Sequence, residues 1–238
     1  MASKTFVLEN IGDVTVVKRR GNRHLRLTLA PGGIVRVSIP TWVPYQAGLD
    51  FVKSKQPWID TQLTAPKLLK EGDTIGRAHH IHYETNEDII HPRGRINKNL
   101  VLVTYPASLS IDSSEVQKIA NQTAIRALRK QAESLLPQRL RLISEQQSLP
   151  VSEVKIKRLS RRWGSCDQKK LIVLNLFLIQ MPWELIDYVI LHELTHTKHL
   201  NHGPEFWSTL ESMLPNAKQL KKQLNSYHPG IISSALQQ

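Results

Sequence analysis

Two short runs near the start of the chain alternate apolar and polar residues, which is the pattern of a strand with one buried face. The runs are LRLTL at residues 25–29 and VRVSI at residues 35–39. Pro31, Gly32 and Gly33 lie between them and are typical turn residues. The pattern therefore predicts a β-hairpin.

The next segments extend this β-rich pattern. A helical spacing of apolar residues covers residues 46–63 and is interrupted or restarted near Pro57. Strand-like alternation returns at residues 71–84 and again at 95–106. We therefore expect residues 1–110 to form a small, β-rich N-terminal domain.

A long helical pattern follows. In residues 115–147 apolar side chains recur near every third or fourth position, after the serines at 113 and 114. Pro137 lies inside this pattern, and proline removes an interior hydrogen bond of a helix. We expect either a kink at Pro137 or the start of a second helix there.

Strands and a second helix are predicted in the remaining part. Residues 154–160 and 171–179 read as two strands that flank RRWGSCDQKK. Pro182 stands at a favourable first position for the helix WELIDYVILHELTHTKH at 183–199. Residues 111–238 are therefore expected to form a second domain, and the whole chain an α+β protein.

Charge, cysteine content and the lack of long apolar segments indicate where the protein is expected to function. Lys and Arg number 32 against 20 Asp and Glu, which gives a formal charge of +12. Cys166 is the single cysteine, so no intrachain disulfide can form. The start of the chain has no signal-peptide pattern, and no apolar run reaches the roughly 18 residues of a membrane span. The expectation is a cytoplasmic protein without a membrane anchor.

The helix at 183–199 carries the clearest chemistry. His192 and His196 are four residues apart, which puts both imidazoles on one side of the helix and within reach of one metal ion. Glu193 follows the first histidine directly, beside that ion without pointing at it. This is where a base for metal-activated water is needed.

An open catalytic zinc site needs a third protein ligand. His199 lies three residues beyond His196, about 4.5 Å further along the helix axis at about 1.5 Å per residue. Zinc to nitrogen distances are only about 2.0–2.1 Å. An ion between His192 and His196 is therefore out of reach of His199, and the chain must turn back to supply the ligand.

The residues after the helix provide such a reversal. Asn201 tolerates the left-handed conformation that ends helices, and Gly203 and Pro204 prevent the helix from continuing. His202 lies within this turn and is the third ligand that we predict. Two downstream carboxylates remain as alternatives, Glu205 and Glu211.

With these residues in view, the sequence resembles the YgjP-like and SprT-like zinc metallopeptidases. The resemblance is strongest after Val151 and weaker in the N-terminal part. Its motifs are RRWGSC at 161–166, LNLFL at 174–178, YVILHELTH at 188–196, NHGPEFW at 201–207, LRLTLAPGGIVRVSIP at 25–40 and KSKQPWI at 53–59.

The resemblance implies a zincin-like metallopeptidase domain, in which a sheet edge lies beside the helix that carries HELTH. It implies Zn²⁺ as cofactor, with His192, His196 and His202 as its ligands and Glu193 as the catalytic glutamate. An edge strand can pair with an extended peptide of almost any sequence. A protein or peptide substrate follows from this.

The implied reaction is hydrolysis by zinc-activated water, with Glu193 as general base. Such sites also stabilise the oxyanion that forms at the scissile carbonyl. Tyr188, one helical turn before His192, is one candidate for this role, and Tyr227 and His228 in the sequence NSYHPG are two others. The sequence does not choose among them.

The positive charge is concentrated near these motifs. From Lys155 to Lys170 there are seven basic residues and one acidic residue, and KRRGNRHLR at 18–26 adds five more. One interpretation is that the cations bind acidic peptides or solvate the surface. The alternative is a SprT-like protease that holds nucleic acid on this basic stretch and cleaves DNA-bound proteins.

Three minor hypotheses complete the list of candidate sites. Cys166 is a possible zinc ligand, although a small buried residue in a turn fits it better. His79, His80 and His82 form a second histidine cluster with no carboxylate placed to complete a metal site. A non-catalytic, zinc-stabilised binding module is the last alternative, and it leaves Glu193 without a use.

Overall fold

The computed structural model describes residues 2–9, 11–29, 35–56, 59 and 68–231. Two compact units divide the chain, residues 1–67 and residues 68–238. Both contain helices and sheets with mixed strand directions, so the α+β class is confirmed. No helix among the described residues has the length and apolar character to cross a membrane.

The described residues of the first unit form a four-stranded sheet and helix α1. Its order is β1-β2-β4-β3, with β2 and β4 parallel and the other neighbours antiparallel. The elements are β1 (Ser3–Leu8), β2 (Gly12–Arg19), β3 (Arg26–Leu29), β4 (Val35–Pro40) and α1 (Tyr45–Ser54). Helix α1 packs closely on the sheet, because a Cβ on Gly48 would lie 3.0 Å from Val16.

The predicted hairpin is confirmed as the antiparallel pair β3 and β4, in which Leu27 is opposite Val37. Its turn at Pro31, Gly32 and Gly33 lies outside the described residues. Most of the predicted helical stretch beyond α1, including the restart near Pro57, lies outside them as well.

The second unit has two sheets and a long helix between residues 114 and 146. One sheet has the order β5-β6-β8-β7 and the other β10-β11-β9. The first sheet contains β5 (Thr74–Ile75), β6 (His79–Thr85), β7 (Arg93–Asn97) and β8 (Leu100–Tyr105). The second contains β9 (Glu153–Lys157), β10 (Gly164–Cys166) and β11 (Leu171–Asn175).

The long helix α2 (Ser114–Gln146) packs against strands of both sheets. Ser113 caps its start by accepting a hydrogen bond from the amide of Val116. No second helix begins at Pro137, where the sequence allowed one. Leu136 and Leu140 on either side are fully buried, so packing offsets the hydrogen bond that proline removes.

The compact units divide at residues 67 and 68, whereas the sequence suggested domains 1–110 and 111–238. Strands β5 to β8 share one core with α2, in which Val101 and Leu128 are fully buried. Two buried glutamines of α2 strengthen this contact: Gln117 accepts from the amide of Leu69, and Gln131 from that of Arg77. The apolar face of this sheet is covered by the helix that follows it.

The C-terminal part of the second unit is helical. After the short 3₁₀ helix at Leu176–Gln180 come α3 (Trp183–Thr195), α4 (Pro204–Met213) and α5 (Ala217–Leu224). Helix α3 is buried along most of its length and packs against β10, β11, α2, α4 and α5. This position places the end of α3 beside the edge strand β10.

Candidate metal centre

Three histidines from α3 and the following turn converge on one point. His192 lies in the last turn of α3, His196 caps its C-terminus, and His202 lies in the turn before α4. One ring nitrogen from each can be chosen so that all three lie within 4.8 Å of one another. The Nε2 atoms of His192 and His202 are 3.0 Å apart. The structure thus brings together the three histidines that the sequence singled out.

Backbone hydrogen bonds and the residues Gly203 and Pro204 form the turn that carries His202. The amides of Thr197 and Lys198 bond the carbonyls three residues earlier, which tightens the end of α3. Helix α4 then begins with Gly203 as N-cap and Pro204 at its first position, where a missing amide hydrogen costs nothing. His202 is therefore held between a helix end and a helix start.

The environment of the histidines favours neutral imidazole, the form that binds metals. Burial lowers the pKa of His192 to about 3, with smaller contributions from His196 and His202. Burial also lowers the pKa of His196. The Nδ1 of His196 donates to the carbonyl of His199 at 2.9 Å, which leaves its Nε2 free as a ligand atom.

The donor set fits a catalytic zinc ion. Three imidazole nitrogens are a known ligand set of zinc enzymes, which keep a fourth position open. The Nε2 of His192 is the atom that faces His202. Its buried Nδ1 has no hydrogen-bond partner among the described residues. Within the same residues, His192, His196 and His202 are the one group with the spacing of a metal site.

Glu193 follows His192 on α3, and its side chain is buried. The residue is only 6% exposed, and burial raises the pKa of its carboxyl to about 8, while Arg162 acts in the opposite direction. Gly164 on β10 makes room for it: a Cβ at this position would lie 2.7 Å from Oε1 of Glu193 and 2.8 Å from its Cγ. The edge strand and the carboxylate are thus in direct contact.

A buried asparagine, Asn175, holds the loop that leads to Gly164. Its Nδ2 donates to the carbonyls of Leu159 and Arg162, both at 2.8 Å, and its own amide donates to the carbonyl of Trp163. Sequence reasoning missed this residue. The available signal was a single polar residue inside the apolar run LIVLNLFLI.

The alternative ligands lie elsewhere. Glu205 is 3.6 Å from Nδ1 of His199 and largely exposed, and Glu211 is 2.7 Å from the ammonium of Lys218. His199 bonds Thr209 through Nε2 at 3.1 Å. None of the three belongs to the histidine group.

Cys166 is also outside the histidine group, and its thiol is 3.5 Å from the carbonyl of Asp167. Burial raises the pKa of this thiol to about 11, with a smaller contribution from Glu193, so the thiolate that metals bind is disfavoured.

The candidates for oxyanion stabilisation differ in environment. Tyr188 is buried, with its ring centroid 5.9 Å from that of His192, and burial raises the pKa of its hydroxyl to about 12. Tyr227 packs against the main hydrophobic core, and His228 is exposed. Of the three, Tyr188 is the one seen in ring contact with a histidine of the group.

The second histidine cluster is divided between structural contacts. His79 is buried and its Nδ1 is 2.8 Å from Nε2 of Gln131, while His82 is 2.8 Å from a carboxylate oxygen of Glu71. His80 lies between them on β6 and is exposed. Strand alternation puts His79 on the buried face of β6 and both His80 and His82 on the exposed face.

The basic stretch is largely at the surface. Lys155 pairs with Glu153 at 3.0 Å, and the guanidinium of Arg158 lies 5.9 Å from the ring centroid of Phe177. The exposed basic residues of this stretch are Lys155, Lys157, Arg158, Arg161, Arg162 and Lys169.

Comparison with known proteins identifies the class as a metallopeptidase. A family profile described as "YgjP-like, metallopeptidase domain" matches residues 23–227. The chain belongs to this YgjP-like family, as its motifs suggested. The match covers parts of both compact units.

No curated protein sequence matches the chain. Two solved structures that resemble parts of it are described as metallopeptidase zymogens. The zymogen of abylysin from Pyrococcus abyssi is 20% identical, with a TM-score of 0.36 over 41% of this chain and 100% of that one. The zymogen of jannalysin from Methanocaldococcus jannaschii is 23% identical, with a TM-score of 0.35 over 38% of this chain and 94% of that one.

Proposed function

We propose that this metallopeptidase is a zinc-dependent hydrolase of peptide bonds that uses metal-activated water, with His192, His196 and His202 as ligands and Glu193 as general base. The observation that carries the proposal is the convergence of three imidazoles beside a buried carboxylate. Bound zinc would supply Lewis acidity, which polarises the scissile carbonyl and acidifies water at the site.

Glu193 is suited to moving a proton between water and the leaving amine. Burial raises the pKa of its carboxyl to about 8 in the metal-free protein, so the group is protonated below that pH. A nearby divalent cation favours the carboxylate, so the same group can accept a proton and then donate it. The low dielectric constant of its buried surroundings also strengthens its electrostatic interaction with a reacting group.

The zincin-like part of the proposal concerns substrate binding. Strand β10 is at one edge of the sheet β10-β11-β9, and its residue Gly164 contacts Glu193. An extended peptide paired with this edge would pass directly over the carboxylate. Binding through backbone groups would leave sequence preference to the surrounding side chains.

The exposed basic stretch favours a second candidate function, a protease that acts on nucleic-acid-associated proteins. Arg161 and Arg162 are exposed in the loop that Asn175 holds next to β10. Phosphate contacts made by such residues would weaken steeply with salt. Binding of a DNA duplex that does not fall with rising salt would count against this candidate.

The first experiment is zinc content per chain in wild type, His202→Ala and Glu193→Gln, prepared identically, together with hydrolysis of a peptide library. We expect about one zinc in wild type and Glu193→Gln, loss of zinc in His202→Ala, and turnover in wild type only. Full zinc in His202→Ala would refute the ligand set, and turnover by Glu193→Gln would refute the assigned base.

A further inference from the structure

One aromatic ring contacts all three histidines. The ring centroid of Phe206 lies 4.9 Å from that of His192, 4.7 Å from that of His196 and 4.7 Å from that of His202. These separations are typical of packed aromatic pairs, and the interplanar angles of 69°, 37° and 62° show that each imidazole meets the ring differently. Phe206 has no exposed surface.

The orientation of an imidazole decides whether its nitrogen points at a metal. Most metal-binding histidines are oriented by a hydrogen bond from their second ring nitrogen. His196 has this bond, to the carbonyl of His199. The buried Nδ1 of His192 has no such partner within the described segments of the chain, so packing must hold its ring. Apart from the imidazoles of His196 and His202, the rings in contact with it are those of Phe206 and Tyr188.

The position of Phe206 in the chain links the two elements that supply the ligands. It is the third residue of α4, four residues after His202, and it packs back onto the end of α3. Pro204 at the first position fixes the backbone at the start of α4. A phenylalanine side chain has only two rotatable bonds, and both are restricted in a fully packed core. The ring therefore ties the turn that carries His202 to the helix that carries His192 and His196.

We propose that Phe206 is a positioning residue whose ring holds the three metal-binding imidazoles in the geometry that zinc requires. This inference rests on the proposed function and goes beyond the ligand set, because Phe206 itself has no ligand atom. Its contribution is to pre-organise the site before the ion arrives, which reduces the ordering that binding must produce.

Zinc affinity of the folded, metal-free protein tests this role. The full chain is titrated with zinc in competition with a chelator, as wild type, Phe206→Leu and Leu210→Ala, and the Tm of each metal-free variant is measured. Leu210 is the matched control, since it is fully buried one turn further along the same helix. If Phe206→Leu does not fold, Phe206→Met replaces it, because methionine fills the space with a flexible chain.

We expect Phe206→Leu to weaken zinc binding by about 10- to 100-fold, the range found when groups that orient metal ligands are changed. Leu210→Ala should lower the Tm but stay within about threefold of wild type in zinc affinity. Equal zinc affinity in wild type and Phe206→Leu would overturn this inference but not the proposed function. An equal loss of zinc affinity in Phe206→Leu and Leu210→Ala would do the same. A wild type that binds no zinc would instead refute the proposed function, and the inference with it.

Discussion

The contact between Gly164 and Glu193 gives the most direct test of how the site is arranged. An alanine at position 164 would place its Cβ 2.7 Å from Oε1, 2.8 Å from Cγ and 2.9 Å from Cδ of Glu193. Comfortable contacts between such atoms begin near 3.4 Å. The carboxylate side chain must therefore move by about 0.5–0.7 Å, and because Cγ is also too close, rotation of the carboxylate alone is insufficient.

The residues around this contact have little room to move. Glu193 is 6% exposed, and Asn175 fixes the loop before β10 with two side-chain hydrogen bonds. A displacement of about 1 Å in a catalytic group can cost about 100-fold in rate. For Gly164→Ala we expect kcat to fall by about 10- to 100-fold, equivalent to about 1.4–2.7 kcal/mol of transition-state stabilisation, with a smaller change in KM.

The assay is peptide hydrolysis with zinc content and Tm measured on the same preparations. Gly203→Ala is the matched control, because a Cβ there meets nothing within 4 Å and its φ of −74° suits any residue. Wild-type kcat in a fully zinc-loaded Gly164→Ala protein would refute the reasoning. Loss of zinc together with activity would show that the substitution disrupts the metal site rather than the base.

Three further predictions concern stability. The carboxyl of Glu193 has its pKa raised from 4.5 to about 8, so its contribution is complete below pH 4.5 and is lost as the pH rises through 8. As the pH rises from 4.5 to 8, the free energy of unfolding of metal-free Glu193→Gln should therefore increase relative to that of metal-free wild type, by up to about 1.4 kcal/mol per pH unit. Urea denaturation measures this difference, and a difference that does not change with pH would contradict the prediction. Removal of zinc by a chelator should leave a folded, inactive protein by circular dichroism, whereas a structural site would melt. Asn175→Ala should cost about 2 kcal/mol in urea denaturation, because the part-buried carbonyls of Leu159 and Arg162 lose their donor, and an unchanged midpoint would show that water replaces it.

The parts of the site that could be predicted are those set by local sequence. The spacing of His192 and His196 and the helix stop before Pro204 determine which side chains point the same way and where the chain reverses. The role of Phe206 could not be found in this manner, because it depends on contacts between elements and a phenylalanine is typical of any core. Asn175 stands out as a polar residue in an apolar run, but the sequence does not show which carbonyls it binds.

The same limit explains the difference in the division of the chain. Alternating residues at 71–84 and 95–106 correctly indicated strands β6 and β8, each with one buried face. Alternation does not say which element covers that face. The sequence pattern alone places this sheet with the strands before it, whereas in the structure it shares a core with the helix after it.

Helix α2 has a practical consequence for anyone who wants the metal centre in a smaller protein. One side of it packs on β7 and β8, with Ile119 and Thr123 next to Gly94 of β7, while another contacts β9 and the segment before α3. A fragment that starts at residue 111 would keep the histidines but leave a stripe of apolar surface open to solvent, which promotes association between copies. A fragment that starts at residue 68 retains the covering sheet and is still shorter than the whole chain, so it is the fragment to express.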